Sequence, residues 1–323
     1  MMRPYTLVDY ASQAYSILVA GLIIFFHNET VPAWGWLVAA HVAGVALVHW
    51  IVQQRDRPRP SAGLSLLSHF YPILLYLWFF AETGWLNRMF VRQYLDPLAV
   101  RWDQALFGCQ PGIILIDKMP WIGLSEALYA AYFSYYLMIP GVGIALFLRN
   151  RQQFFHYLSV LSFLFYACYL IYIFVPIIGP RVLYESVNGY IAPAELQLLV
   201  PSPVWPAGVQ SGFFFRLLRV IYGVFESPGS AIPSSHVAAA LCTVHFSFRY
   251  LRPIRFFHLG LAILLCLATV YGRFHYGVDA LGGLAAAAVL IPLGNWLYFK
   301  FNPRSEGGVA DPAQDLKIQA RQR

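Results

Sequence analysis

Eight runs of about 20 mostly apolar residues follow one another along this 323-residue chain, at roughly 8–27, 33–53, 64–84, 121–148, 154–176, 233–250, 256–272 and 275–299. A helical run of that length matches the hydrocarbon thickness of a bilayer, and a backbone in lipid must satisfy its own hydrogen bonds. The expected fold is therefore all-α, a polytopic transmembrane helix bundle of about eight spans. Composition excludes an ordinary soluble domain, since 59% of the residues are hydrophobic and 11% charged, with a mean hydropathy of +0.57.

The opening "MMRPYTLVDYASQAYS" has neither the compact basic region nor the small-residue cleavage site of a signal peptide, so the first run is expected to be retained. A formal charge of +7 would suit a nucleic-acid partner, but the basic residues form no single patch. They are sorted by loop instead. With a cytoplasmic N-terminus, the inside loops carry Arg55, Arg57 and Arg59, then Arg149 and Arg151, then Arg249, Arg252 and Arg255. The tail adds Lys300, Arg304, Lys317, Arg321 and Arg323. This is the positive-inside pattern, so both termini are expected in the cytoplasm, with the lipid bilayer and not nucleic acid as the partner. The four cysteines, Cys109, Cys168, Cys242 and Cys266, lie in separate regions and imply no disulfide framework.

Two outside connections are too long to be turns. The first, about 85–120, contains "LNRMFVRQYLDPLAVRWDQALFG" and is expected along the membrane interface. The second, about 177–232, opens with "IIGPRVLYE", passes through "VPSPVWPAGV" and ends in "GFFFRLLRVIYGVFE", where Arg216 and Arg219 share one helical face. A short helix is expected there, either an interfacial lid or a purely structural amphipathic element.

Of nine histidines, His275 alone has a carboxylate three or four residues away, Asp279 in "HYGVD". The spacing places both side chains on one face at the start of the last span. The pair reads as a structural salt bridge or as a functional site, and a carboxylate inside a membrane helix weighs toward function. His236 lies just inside another span, after Pro233 and an N-cap Ser234. The backbone N–H groups of Ser235 and its neighbours are then expected to form an anion site at the helix start. Arg181 and Arg273, each readable as an interfacial anchor, fall on the same expected surface. Together these residues supply a nucleophile or base, an acid, an orienting carboxylate and fixed positive charge, the needs of phosphoryl chemistry. His27, His41, His49, His69, His156, His245 and His258 read as packing or interfacial residues. A zinc site on His236, His275 and Asp279 would have only three ligands, and neither HExxH nor paired-cysteine spacing is present, so no metal or cofactor is expected. Glu126, in the fourth span, either pairs with a tyrosine of "YAAYFSYY" or lines the cavity.

"PSSH" at 233–236 resembles the second motif of the type 2 phosphatidic acid phosphatase superfamily, and "HYGVD" at 275–279 resembles the His-x-x-x-Asp core of its third. The resemblance covers about 64–299, the last six spans. It makes 1–63 an addition of two N-terminal transmembrane helices and leaves 300–323 as a disordered cytoplasmic tail. It implies that His275 attacks phosphorus, Asp279 holds its ring and His236 protonates the leaving oxygen. Ser234, Ser235, Arg181 and Arg273 would bind the phosphate of a phospholipid or isoprenoid phosphate substrate. The family's first motif, Lys, six residues, then Arg-Pro, is met only in part by Gly179-Pro180-Arg181, and Thr269 stands where the third motif's arginine is usual. In this the chain is more similar to the branch that includes inositol phosphorylceramide synthases. The expected function is hydrolysis of a phosphomonoester or pyrophosphate lipid through a phosphohistidine on the extracytoplasmic face. The alternatives are a headgroup phosphotransferase acting on a lipid alcohol and a catalytically silent transporter or scaffold.

Overall fold

The computed structural model describes residues 5–55, 61–187, 189–199, 205–225 and 227–302. The expected tail beyond 302 and part of the proline-rich piece lie outside the described residues. Among those described, 13 α-helices are present: α1 (Leu7–Phe26), α2 (Trp34–Arg55), α3 (Ala62–Leu86), α4 (Asp96–Phe107), α5 (Pro111–Lys118), α6 (Ile122–Arg149), α7 (Arg151–Phe174), α8 (Ala194–Gln197), α9 (Ala207–Gln210), α10 (Phe213–Phe225), α11 (Ser235–Tyr250), α12 (Arg255–Tyr271) and α13 (Gly277–Phe301). Seven of them, α1, α2, α3, α6, α7, α12 with its preceding turn, and α13, are long and apolar enough to cross a membrane.

The eighth expected span, α11, falls short of that length. Its 16 residues reach about 24 Å at 1.5 Å per residue, less than the hydrocarbon core. It nonetheless runs through the centre of the bundle, enclosed by α6, α7, α12 and α13, to the end where Arg149 donates to the Tyr250 carbonyl at 2.7 Å. Val237, Ala238, Ala239, Ala240, Cys242 and Phe246 have no exposed surface. The alanine run keeps this helix thin, so four neighbours can approach it closely.

The two helices before residue 64 are packed into the same hydrophobic core as α7. The Val8 N–H donates to Ser159 Oγ at 3.2 Å, and the Ser12 and Tyr166 hydroxyls meet at 2.9 Å. Asp9, fully buried, takes both terminal nitrogens of Arg55 at 2.8 and 3.0 Å and the Tyr71 hydroxyl at 2.7 Å. His41, expected to be a packing residue without a partner, is in fact paired. Its Nε2 lies 2.9 Å from Glu82 Oε1, with both side chains buried between α2 and α3. Helical spacing finds only local pairs, and this one spans 41 residues.

Tyr10 near the start of α1 and Phe301 at the end of α13 bring their rings within 5.7 Å, so the described chain ends share one end of the bundle. The opposite end carries both long connections. The first forms α4 and α5. The second forms a 3₁₀ turn at Pro180–Leu183 and then α8, α9 and α10. On α10 the outward Phe213, Val220, Val224 and Phe225 are 60–69% exposed, an apolar face suited to the lipid surface.

Candidate active site

His275 stands in the turn between α12 and α13, at the end of the bundle that carries the long connections. The turn folds back on α12: the amides of Phe274 and His275 donate to the Thr269 carbonyl at 3.1 and 3.0 Å, and the Arg273 amide to Val270 at 3.1 Å. Thr269, where the resembling family would place an arginine, is fully buried and shapes this turn through its backbone.

Across the turn, Nδ1 of His275 lies 3.5 Å from Asp279 Oδ2, and Nε2 lies 3.4 Å from Nδ1 of His236. The carboxylate therefore faces one ring nitrogen and the second histidine faces the other. The distances are slightly longer than a formed hydrogen bond, a common state of catalytic pairs before substrate tightens them. Asp279 is itself fixed, since Oδ2 accepts the Tyr276 amide at 2.9 Å. Burial pushes the His275 imidazole down to about 4, which keeps it neutral and nucleophilic at neutral pH.

Glycine at 283 makes this meeting of α11 and α13 possible. A Cβ there would lie 2.6 Å from the Ser234 carbonyl oxygen and 2.8 Å from Val237 Cβ. Without one, the helices come close enough for the Ser234 amide to donate to the Asp279 carbonyl at 3.0 Å. Ser234 is an N-cap, its Oγ 3.4 Å from the Val237 amide. The expected free amides at this helix start are thus partly engaged, because the Ser235 amide also donates to Tyr172 Oη at 3.2 Å.

Two aspartates of α4, not anticipated as site residues, hold the surrounding backbone. Asp103 accepts the Gly277 and Val278 amides at 2.9 and 2.8 Å and so caps α13. Asp96 accepts the Ile178 and Gly179 amides at 3.1 and 3.0 Å and the Tyr276 hydroxyl at 3.0 Å, joining the turn that carries Arg181 to the turn that carries His275. Burial pushes both carboxyls up to about 6, against the pull of these hydrogen bonds. The two turns also approach closely at Gly179, whose φ is +111° and where an added Cβ would lie 2.5 Å from the Phe274 carbonyl oxygen, leaving no room for a side chain.

Of the remaining expected residues, Arg181 stacks on Tyr222, 4.7 Å from its centroid, and pairs with Glu185 at 3.4 Å. Tyr222 stacks on Phe274 at 4.5 Å, and Tyr132 lies between Phe274 at 4.4 Å and His236 at 5.1 Å. The Tyr132 and Tyr222 hydroxyls are in contact. Three rings thus cover His236 on the side of Arg181. Arg273 is fully buried and held by Asp117 at 2.7 Å rather than by the histidines. Glu126, expected to pair with a tyrosine or line the cavity, instead caps α10: its carboxylate accepts the Phe214 and Phe215 amides at 3.0–3.3 Å. No group of three or more His, Cys, Asp or Glu with a metal-site arrangement occurs among the described residues.

The family model described as the PAP2 superfamily matches residues 99–293, from the first turn of α4 into the last turns of α13 and across both histidines and Asp279. No curated protein and no solved structure matches the chain.

Proposed function

We propose, for a chain that belongs to the PAP2 superfamily, that it is a membrane lipid phosphate phosphatase using His275 as a covalent nucleophile. The observation that carries this reading is the His236–His275–Asp279 constellation, with Nδ1 of His275 toward the carboxylate and Nε2 toward the second histidine. Nε2 attacks phosphorus while the bond from phosphorus to the lipid oxygen breaks, and His236 delivers a proton to that oxygen. Asp279 accepts a hydrogen bond from Nδ1–H and stabilises the ring as positive charge develops. In the second half, water activated by His236 attacks the phosphohistidine, the P–N bond breaks and inorganic phosphate leaves. Arg181 and the start of α11 offer positive charge to the phosphoryl oxygens.

The loop arginines support an extracytoplasmic site with cytoplasmic termini. Residues 64–299 would form the catalytic unit, with α1 and α2 as an addition buttressing α7. The three rings over His236 favour a second reading. A site shielded from water suits transfer of the phosphoryl headgroup to a lipid alcohol from the same phosphohistidine. The test is turnover by the detergent-solubilised protein of a panel of lipid phosphates, with and without a lipid alcohol, against His275→Ala. Free phosphate lost in the variant supports hydrolysis, and transferred product without free phosphate supports the second reading. Equal activity in variant and wild type removes His275 from the mechanism.

A further inference from the structure

Residues 230–235 lead into α11 and present His236, and several neighbouring elements hold them in place. Ser230 Oγ meets Thr83 Oγ1 of α3 at 2.8 Å, and the Ala231 amide donates to the Ile177 carbonyl at 2.8 Å. From α13, the Asp279 carbonyl accepts the Ser234 amide at 3.0 Å. The hold from α7 runs through one atom. The Tyr172 hydroxyl donates to the Pro233 carbonyl at 2.8 Å and accepts the Ser235 amide at 3.2 Å.

These two bonds flank Ser234, the N-cap of α11, and Tyr172 has no exposed surface. A buried hydroxyl that donates and accepts at once fixes its partners relative to each other, and both would be left unsatisfied without it. His236 directly follows Ser235, and its Nδ1 lies 3.4 Å from Nε2 of His275. The backbone beneath the second histidine thus takes its position from α7 as well as from α13. That helix is itself anchored, since Ser159 accepts the Val8 amide, Tyr166 meets Ser12 and Ser162 meets Tyr76 at 2.6 Å. The Ser235 amide is engaged by the tyrosine, so Tyr172 does not add a donor to the phosphate site; it sets the geometry of the residue that follows.

We infer that Tyr172 is a positioning residue, whose hydroxyl fixes where His236 stands relative to His275 and so governs the rate of phosphoryl transfer rather than the affinity for the lipid phosphate. The inference rests on the phosphatase reading, in which His236 delivers the proton to the leaving oxygen.

The test measures kcat and KM of the detergent-solubilised full chain on the lipid phosphate of the panel that wild type turns over fastest, counting free phosphate and transferred product together, in wild type, Tyr172→Phe and Tyr157→Phe. Tyr157 is the matched control, a buried tyrosine of the same helix whose hydroxyl donates to the Ile139 carbonyl at 3.0 Å and lies 3.2 Å from Thr243 Oγ1. It stands about 22 Å from Tyr172 along α7 at about 1.5 Å per residue. A merely structural hydroxyl costs stability at either position. Tyr172→Phe is expected to lower kcat about tenfold or more with KM within about twofold. Tyr157→Phe is expected to lose a comparable amount of thermal stability and keep kcat within about twofold. Tyr172→para-aminophenylalanine keeps a donor for the Pro233 carbonyl but accepts poorly from Ser235, so its kcat should fall several-fold, which keeps the test readable if Tyr172→Phe fails to fold. Wild-type kcat in either folded variant at position 172, a rise in KM without a fall in kcat, or an equal fall in kcat in Tyr157→Phe overturns the inference while leaving the phosphatase reading standing. Turnover of no panel member by wild type removes the phosphatase reading and this inference with it.

Discussion

Gly283→Ala separates the two halves of the catalytic pair without touching either. The added Cβ would lie 2.6 Å from the Ser234 carbonyl oxygen, where ordinary contact begins near 3.4 Å, and 2.8 Å from Val237 Cβ. Both obstacles are main-chain or branched atoms of α11 and cannot swing aside. The helices must therefore part by about 0.8 Å at this level. His236 travels with α11, while Asp279 travels with α13, so the 3.4 Å approach of the two imidazoles widens. A misplacement of about 1 Å costs about 10²-fold in rate, and overpacking costs about 1–3 kcal/mol. Lipid phosphate turnover is expected to fall ten- to a hundredfold, with the protein still folding in detergent. Gly282→Ala is the matched control, because its Cβ meets Ile232 and Pro233 at ordinary distances of 3.4–3.5 Å. Wild-type turnover in Gly283→Ala, or equal damage in Gly282→Ala, refutes the reasoning.

Glu126→Ala removes the acceptor for the Phe214 and Phe215 amides and should cost about 1 kcal/mol, as loss of a helix cap does. Because α10 carries Tyr222, KM is expected to rise more than kcat falls. Glu82→Ala leaves the buried His41 without its hydrogen-bond partner, a loss of about 1–3 kcal/mol, and the double variant with His41→Leu should recover much of the thermal stability in detergent. Asp96 and Asp103 bind their protons more tightly in the folded protein, with pKa values raised to about 6 from an ordinary value of about 3.9. Their ionisation therefore weakens the fold as pH rises from about 4 to about 6, and this penalty is relieved on acidification. Asp96→Asn should flatten the pH dependence of thermal stability across that window; an unchanged slope would contradict the assignment.

Hydropathy located the helices because the membrane imposes one length and one polarity on every span. The expected span at α11 is the shortest of the eight, 16 residues, and most of its surface lies against protein. The histidine–aspartate pair was legible from its spacing of four, which makes neighbours within a helix, although His275 stands in the turn before α13 and it is that turn that brings it back to Asp279. Asp96, Asp103 and Glu126 offered no such signal. Their partners are backbone amides, which have no residue identity to read, and these lie 82, 174 and 88 residues away. Arg273 was visible as a cation, but its stacking on Tyr184 and Trp205 depends on a backbone φ of +61° that a non-glycine residue rarely adopts.

That conformation ties Arg273 to the catalytic turn. The residue with the unusual φ lies two positions before His275, in the same turn, so whatever settles the Arg273 guanidinium also acts on the backbone that presents the nucleophile. Asp103 fixes the far side of the turn by capping α13, and Asp96 fixes Tyr276 and the segment leading to Arg181. The near side is held by Asp117, which is 31% exposed, while two of the guanidinium nitrogens lack partners. Loosening the guanidinium would let His275 drift from its 3.5 Å approach to Asp279, a loss felt in the transition state and so in kcat rather than in KM. Arg273→Lys, which keeps the charge but loses the fork, should accordingly lower kcat more than it raises KM. A variant that changes KM alone would show that the turn keeps its shape without the fork.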